Sequence, residues 1–344
     1  MIDVSVLIKA LNEESCIESC IRSALRETNG LSAEVIVVDS LSLDQTVEIA
    51  KRFDVKIVQF VSPDDCSCGS AVQLGFQYAA GTFIYVLDGD MQLQPGFIRK
   101  ALKTMESRGE IGGVGGRLLD VSLRTSADYR REAVYGRVKS IKEVDHLGGG
   151  GLYRRTAIES IGYMANRWLP AYEEADLGFR LRSKGWHLLR IPDVAVVHSG
   201  HDESNLVMLK RLWRNKRAHA SGMFIRSAIG KKWLIRVALS QWFVFVTLVA
   251  HAFAILVATL FANDVMQWGL TFLSMELALW SLAFLALLVK KRDLWLAALA
   301  ILNWQVFSMA AILGFLEGSK NPLETIDARV IKDIGESLVT SAES

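Results

Sequence analysis

The front of the chain alternates short apolar runs with segments whose apolar positions recur every three or four residues. Residues 4–8 (VSVLI), 34–38 (EVIVV), 56–61 (KIVQFV) and 82–87 (TFIYVL) are near-continuous and rich in β-branched side chains, as expected of strands buried on both faces. Between them, Asn12 is placed to cap a helix whose inner face is Ile17, Ile21 and Leu25. A second helix starts near Asp44, with Val47, Ala50 and Phe53 inward, and a third runs from Gly69 to Ala80. Such alternation predicts an α/β domain on a parallel sheet covered by helices on both faces. Sheets of this kind bind ligands at the carboxyl ends of their strands. Asn12, Asp39 and Asp88 all fall at or just beyond those ends.

After residue 232 the pattern changes. Trp233–Ala262, Gln267–Val289 and Leu294–Leu316 are each apolar and long enough to span a bilayer. Lys231 and Lys232 precede the first, Asn263 and Asp264 follow it, and Lys290, Lys291 and Arg292 follow the second. That distribution predicts a multi-pass protein with its front domain inside and its tail, from Glu317, outside. Arg236 near the start of the first stretch predicts that its leading residues lie along the interface. Residues 206–217 (LVMLKRLWRNKR) form an amphipathic pattern with Leu206, Leu209 and Trp213 on one face and basic residues around it. Such a helix can lie on an anionic membrane surface. The expected organisation is residues 1–204 as a catalytic domain, 205–232 as a basic interfacial linker, 233–318 as the membrane region and 319–344 as a polar tail.

Composition adds little to this and excludes some classes. A net charge of +2 is too small to make nucleic acid the main partner. Only 5 Pro argue against extensive disorder, and the 51% of hydrophobic residues are concentrated toward the end. Cys16 and Cys20 are spaced i,i+4, and Cys66 and Cys68 form a lone pair without zinc spacing, so reduced thiols are expected. The first residues lack a basic, then apolar, leader, so a cytoplasmic front domain is expected.

The chemistry centres on Leu87-Asp88-Gly89-Asp90, directly after the fourth strand. Two carboxylates at i,i+2 on a strand end can share a hard divalent cation that also bridges phosphates. Asp39, ending the second strand, can accept from a nucleobase or contact a ribose, with Asn12 or Glu13 beside it.

Taken together, VSVLIKALNEE, VIVVDSLSLDQT, GSAVQLGFQYAAGTFIYVLDGDMQLQPGF, GGGLYRRTAIESIGY and AYEEADLGFRLRSKGW resemble glycosyltransferase family 2, in the family's order and over roughly residues 3–200. The resemblance implies a GT-A (Rossmann-like) catalytic domain and inverting transfer from a nucleotide sugar, UDP- or GDP-linked, with Mg2+ or Mn2+. It further implies Asp39 on the base and Asp88 and Asp90 around the diphosphate and metal. The family's catalytic base falls in the segment Tyr172-Glu173-Glu174-Ala175-Asp176-Leu177, which makes Glu173, Glu174 and Asp176 the candidates. Glu174 shares a face with Leu177 and Leu181 and so points inward, whereas Glu173 and Asp176 share a more polar face. Glu174 is therefore the expected general base. His198, in Val-Val-His-Ser-Gly-His201, is a candidate third metal ligand, and Gly148–Gly151 is expected to let backbone approach the sugar or acceptor.

This chain also departs from the family's pattern. The usual Asp-Asp-Gly-Ser is Asp39-Ser40-Leu41-Ser42, and the base position holds Glu rather than Asp. The Gln-x-x-Arg-Trp motif of processive synthases is absent around 205–217, so transfer of a single sugar is expected. The expected acceptor is a lipid-linked glycan, used in polysaccharide or glycoconjugate synthesis at the inner (plasma) membrane. The alternatives are a polyprenyl-phosphate glycosyltransferase, suggested by Asp88-Gly-Asp-Met-Gln92 with Pro95, and a non-catalytic GT-A subunit of a membrane assembly.

Overall fold

A computed structural model describes residues 2–123, 125–200 and 204–335. His201 and residues 336–344 of the expected tail lie outside the described residues. The chain forms two compact units, Met1–Met208 with Ser319–Ser344, and Leu209–Gly318.

The first unit is built on one sheet of strands β1 (Val4–Ala10), β2 (Ala33–Asp39), β3 (Lys56–Phe60), β4 (Phe83–Asp88), β5 (Met91–Leu93), β6 (Ile111–Asp120), β7 (Lys142–Glu143), β8 (Gly151–Arg154), β9 (His187–His198) and β10 (Ala328–Lys332). Their order is β10-β3-β2-β1-β4-β8-β6-β9-β5, with β7 beside β9. Helices α1 (Ile17–Thr28), α2 (Thr46–Ala50), α3 (Cys68–Tyr78), α4 (Phe97–Glu106), α5 (Ser126–Arg131), α6 (Arg155–Glu159) and α7 (Glu173–Ser183) complete it. Alternation along β1 divides the core. Val4, Val6 and Ile8 pack on one face with Ile17 and Ile21 of α1, while Leu7 packs on the other with Ala71, Val72 and Leu74 of α3. Each fully buried aliphatic side chain contributes about 1.5–3 kcal/mol, so the two-sided core fixes the register of the parallel strands.

The sheet corrects the all-parallel expectation. Strands β3, β2, β1 and β4 are parallel, but β8 joins β4 antiparallel and β10 joins β3 antiparallel. Beyond them β6 and β9 are parallel to one another, and β5 is antiparallel to β9. Strand β6 escapes a propensity reading because Gly112, Gly113, Gly115 and Gly116 interrupt it. A Cβ at Gly116 would stand 2.5 Å from the Phe97 ring, so the glycine lets α4 sit directly on the strand.

Asn12 is a second correction. Helix α1 begins after Cys16, and Asn12 lies outside it with a left-handed φ of 55°. Its side-chain oxygen accepts from Leu43 N–H at 2.8 Å and its own N–H donates to Ser42 Oγ at 2.9 Å. Asn12 thus ties together the loops that follow β1 and β2.

The segment after Gly318 is the third. Rather than a detached tail, it supplies edge strand β10, and Ile326 is buried. Gln77 exchanges two hydrogen bonds with the Ile326 backbone, and Lys332 Nζ donates to Lys51 and Phe53 carbonyls. Residues 319–335 therefore stand on the same side of any bilayer as the sheet they complete, contrary to the expected outside location.

Helix α8 (Asn205–Arg214) forms within the expected amphipathic segment. The second unit then holds α9 (Ala220–Ser227), α10 (Leu234–Ser240), α11 (Trp242–Phe261), α12 (Val265–Lys291) and α13 (Leu294–Leu316). Three of these, α11, α12 and α13, are long and apolar enough to cross a membrane. The first expected stretch breaks at Gln241, which leaves Arg236 in the short α10. Midway along the three long helices, His251 pairs with Glu276 at 3.0 Å and with Gln305 at 2.9 Å, and Trp280 donates to Glu276 at 2.8 Å.

Candidate active site

Parallel register brings the first cluster together. Lys9 on β1 is paired with Asp88 at the end of β4, so their side chains stand side by side. The Lys9 ammonium lies 2.7 Å from Asp88 Oδ1 and 3.3 Å from Glu173 Oε1. It thereby links the Asp-Gly-Asp turn to the start of α7. Burial alone would lower the Lys9 pKa, but the Asp88 and Glu173 charges outweigh it and hold the group firmly cationic. Lys9 was legible as the one charged position in an otherwise apolar strand, yet it carried no motif.

Helix α7 starts with three acids in its first turn, which the helix dipole favours. The three have different partners. Glu173 meets Lys9. Asp176, buried with Arg180, forms a 2.7 Å ion pair, and Arg180 also donates to the carbonyls of Tyr163 and Met164. Asp176 is thus engaged by Arg180, which ties the first turn of α7 to the 163–164 segment. Glu173 and Asp176, on the more polar face of the helix, are both buried. Glu174 receives one N–H, from Gly150 at 3.3 Å. Burial, then the neighbouring Glu173 charge, push its pKa up to about 7, with Lys9 acting in the opposite direction.

The glycine loop serves this carboxyl. Gly150 has a φ of +88°, and a Cβ there would lie 2.7 Å from the Val86 carbonyl, so only glycine fits between β4 and Glu174. Arg190, fully buried under Tyr135, donates to Gly116 and, at 3.1 Å, to Gly148. The loop thus approaches the acid rather than being held open by its glycines. Arg190 lies in a strand that its mixed sequence concealed.

A second cluster forms around Asp90. Asp90 Oδ2 is 3.0 Å from His198 Nε2, and Asp120 Oδ1 is 2.6 Å from His198 Nδ1. Burial disfavours the charged ring, but the Asp90 bond and charge, then the Asp120 bond, raise the His198 pKa to about 9. Glu13 stands against Gly89, and burial followed by the Asp90 and Asp88 charges raise its pKa to about 8. Asp120 and its partner Arg131 had no sequence signal, because β6 had none.

Asp39 is fully buried at the end of β2. Its carboxylate accepts from Ser42 N–H at 3.1 Å and Gln59 Nε2 at 2.8 Å, so it shapes the turn behind the strand ends.

Among the described residues, no three His, Cys, Asp or Glu side chains converge as a closed metal site. Asp90 and His198 nevertheless offer an oxygen and an imidazole nitrogen directed at one another. Two protein donors with the remaining positions left to phosphate and water suit Mg2+ or Mn2+, which seldom take an all-protein cage. The residues present fit such an ion at Asp90 and His198, whereas Asp88 is engaged by Lys9.

A parallel-centred sheet with an Asp-Gly-Asp turn, a histidine and an acidic helix start at its strand ends defines a GT-A-like domain. Residues 5–162 match the family model Glycosyl transferase family 2. It is similar to the dolichol-phosphate mannosyltransferase of Pyrococcus furiosus, 31% identical over 112 residues, which cover 31% of each chain. It is also similar to the undecaprenyl-phosphate 4-deoxy-4-formamido-L-arabinose transferase of Salmonella paratyphi A, 29% identical over 131 residues covering 36% of this chain and 40% of that one. The match thus spans about a third of these relatives. The mannosyltransferase PcManGT of Pyrobaculum calidifontis, solved in complex with GDP-Man and Mn2+, shares the fold at a TM-score of 0.56 and 17% identity, over 91% of this chain and 86% of that one.

Proposed function

We propose that this protein moves one sugar from a nucleotide-sugar donor to a hydroxyl of a lipid-linked glycan, with inversion, at a membrane that its apolar helices enter. The observation that carries this reading is Glu174, a half-buried carboxyl raised to about 7 beside the Lys9–Asp88 pair. A group of that pKa can take a proton near neutral pH. In the reaction, the acceptor oxygen bonds to the anomeric carbon as the bond to the diphosphate oxygen breaks on the opposite side. The hydroxyl proton goes to Glu174, and nucleoside diphosphate leaves.

A divalent cation at Asp90 and His198 would neutralise charge on the departing diphosphate. The chain's own residues do the rest. Lys9 fixes Asp88 and Glu173 in place, Gly150 N–H orients Glu174, and Asn12 with Asp39 shapes the loops that flank the donor. The front unit is proposed to be cytoplasmic and the membrane to be the inner (plasma) membrane.

A second reading has a specific observation behind it: two relatives are named for dolichol phosphate and undecaprenyl phosphate. A phosphate acceptor is already ionised and requires no general base. The test is a donor screen of the full chain with UDP- and GDP-sugars and Mg2+ or Mn2+, offering either polyprenyl phosphate or a lipid-linked glycan. Nucleoside diphosphate release with the glycan alone supports the first reading, and release with the lipid phosphate alone supports the second. No turnover together with no metal-dependent nucleotide binding would make the chain a non-catalytic subunit.

A further inference from the structure

His198 is held from both sides of the sheet. On one side β6 and β9 run parallel with Asp120 and His198 in register, and Val121 N–H donates to the His198 carbonyl at 3.0 Å. On the other, β5 pairs Met91 with His198, and Ser199 N–H donates to the Asp90 carbonyl at 3.0 Å. The backbone therefore pairs Asp120 with His198 across β6 and β9 and brings the turn residue Asp90, just before β5, beside them. Asp120 is almost inaccessible, with 2% of its side chain exposed. Its carboxylate also meets Arg131, at 2.9 Å from Nη2 and 3.3 Å from Nε. The Arg131 guanidinium stands 3.5 Å from His198 Nδ1, at the outer limit of bonding, against 2.6 Å for Asp120. The nearer carboxylate decides that Nδ1 carries the proton.

We infer that Asp120 is the positioning residue of the metal site: it fixes His198 with Nδ1–H toward itself, so that Nε2 faces the Asp90 carboxylate as a cation ligand. Metal-ligating histidines are oriented by an Nδ1–H bound to a carboxylate, with the cation taking the place of the proton on the other nitrogen. Arg131 neutralises Asp120 from behind and takes no part in ligation. The inference rests on the metal-dependent reading above, and its test separates the two.

The probe is Mn2+ alone, titrated by electron paramagnetic resonance into the chelator-stripped full chain in detergent. The expected result is binding by the wild type, weakened about 10- to 100-fold in Asp120→Asn. Arg131→Met should not weaken it, because removing a cation beside a cation site cannot reduce the attraction. A purely structural Asp120–Arg131 pair would instead weaken both variants alike. A wild type that binds no Mn2+, an Asp120→Asn variant that binds as well as wild type, or equal loss in both variants would overturn the inference. If Asp120→Asn does not fold, the wild type decides. On adding Mg2+, the 15N signal of His198 Nε2, assigned by its loss in His198→Gln, should move while Nδ1 stays protonated. Movement of Nδ1 instead, or of neither nitrogen, would overturn it. Asp120-dependent Mn2+ binding without turnover of any nucleotide sugar would keep this inference and remove the proposed function.

Discussion

Each unit holds a polar cluster, and the two clusters are built differently. In the apolar unit, His251, Glu276 and Gln305 come from three helices and bond to one another. In the α/β unit a group of charged side chains gathers at strand ends. Asp90 and His198 face each other, and Glu174 has a single backbone donor at 3.3 Å. The first arrangement satisfies itself and holds helices in place. The second stands at the strand ends, where sheets of this kind bind ligands. The first serves stability and the second chemistry, and each variant below tests that division.

The largest effect is expected at the strand-end cluster. Asp90→Ala should lower kcat/KM by at least about a thousandfold, the several kcal/mol that a metal clamp contributes, while the melting temperature hardly changes. Steady-state assays alongside thermal melts check both halves. Next comes a buried pair within the same unit. Arg180→Met strips Asp176 of its buried partner and should cost about 3–5 kcal/mol of stability, read as a lowered denaturant midpoint. Activity per folded molecule should be little changed, and a selective loss of kcat would place Asp176 in the active site.

The pH profile sharpens the same contrast. Glu174 must be ionised to accept a proton, so kcat should rise with pH through about 7. Activity at pH 6 should be about a tenth of that at pH 8, and a profile flat over this range would contradict the role. The smallest effect is expected in the apolar unit. His251→Leu removes hydrogen bonds worth about 0.6–1.7 kcal/mol each between membrane helices, and should lower the melting temperature without altering kcat.

Local patterns carried much of this into the sequence. Strands β1 to β4 and the acids at Asp88, Asp90, Glu173 and Glu174 were legible because each depends on neighbours along the chain. What stayed hidden depends on register between distant strands. Lys9 meets Asp88 only because β1 and β4 pair as they do, and Asp120 meets His198 only through β6 and β9. Strand β6 itself was masked by four glycines that make room for α4, Tyr153 and Trp186. The edge strand β10 was read as a tail, since the polar and exposed residues of an edge resemble a loop.

The central claim is that Glu174, freed from the partners that hold Glu173 and Asp176, takes the acceptor proton. The most direct measurement is nucleoside diphosphate release by wild type and Glu174→Gln at pH 8, with saturating Mn2+ and a lipid-linked glycan acceptor. The account predicts a loss of about 10²–10⁴ in kcat with Mn2+ binding unchanged. A variant that turns over at the wild-type rate would contradict it and favour an acceptor that needs no base.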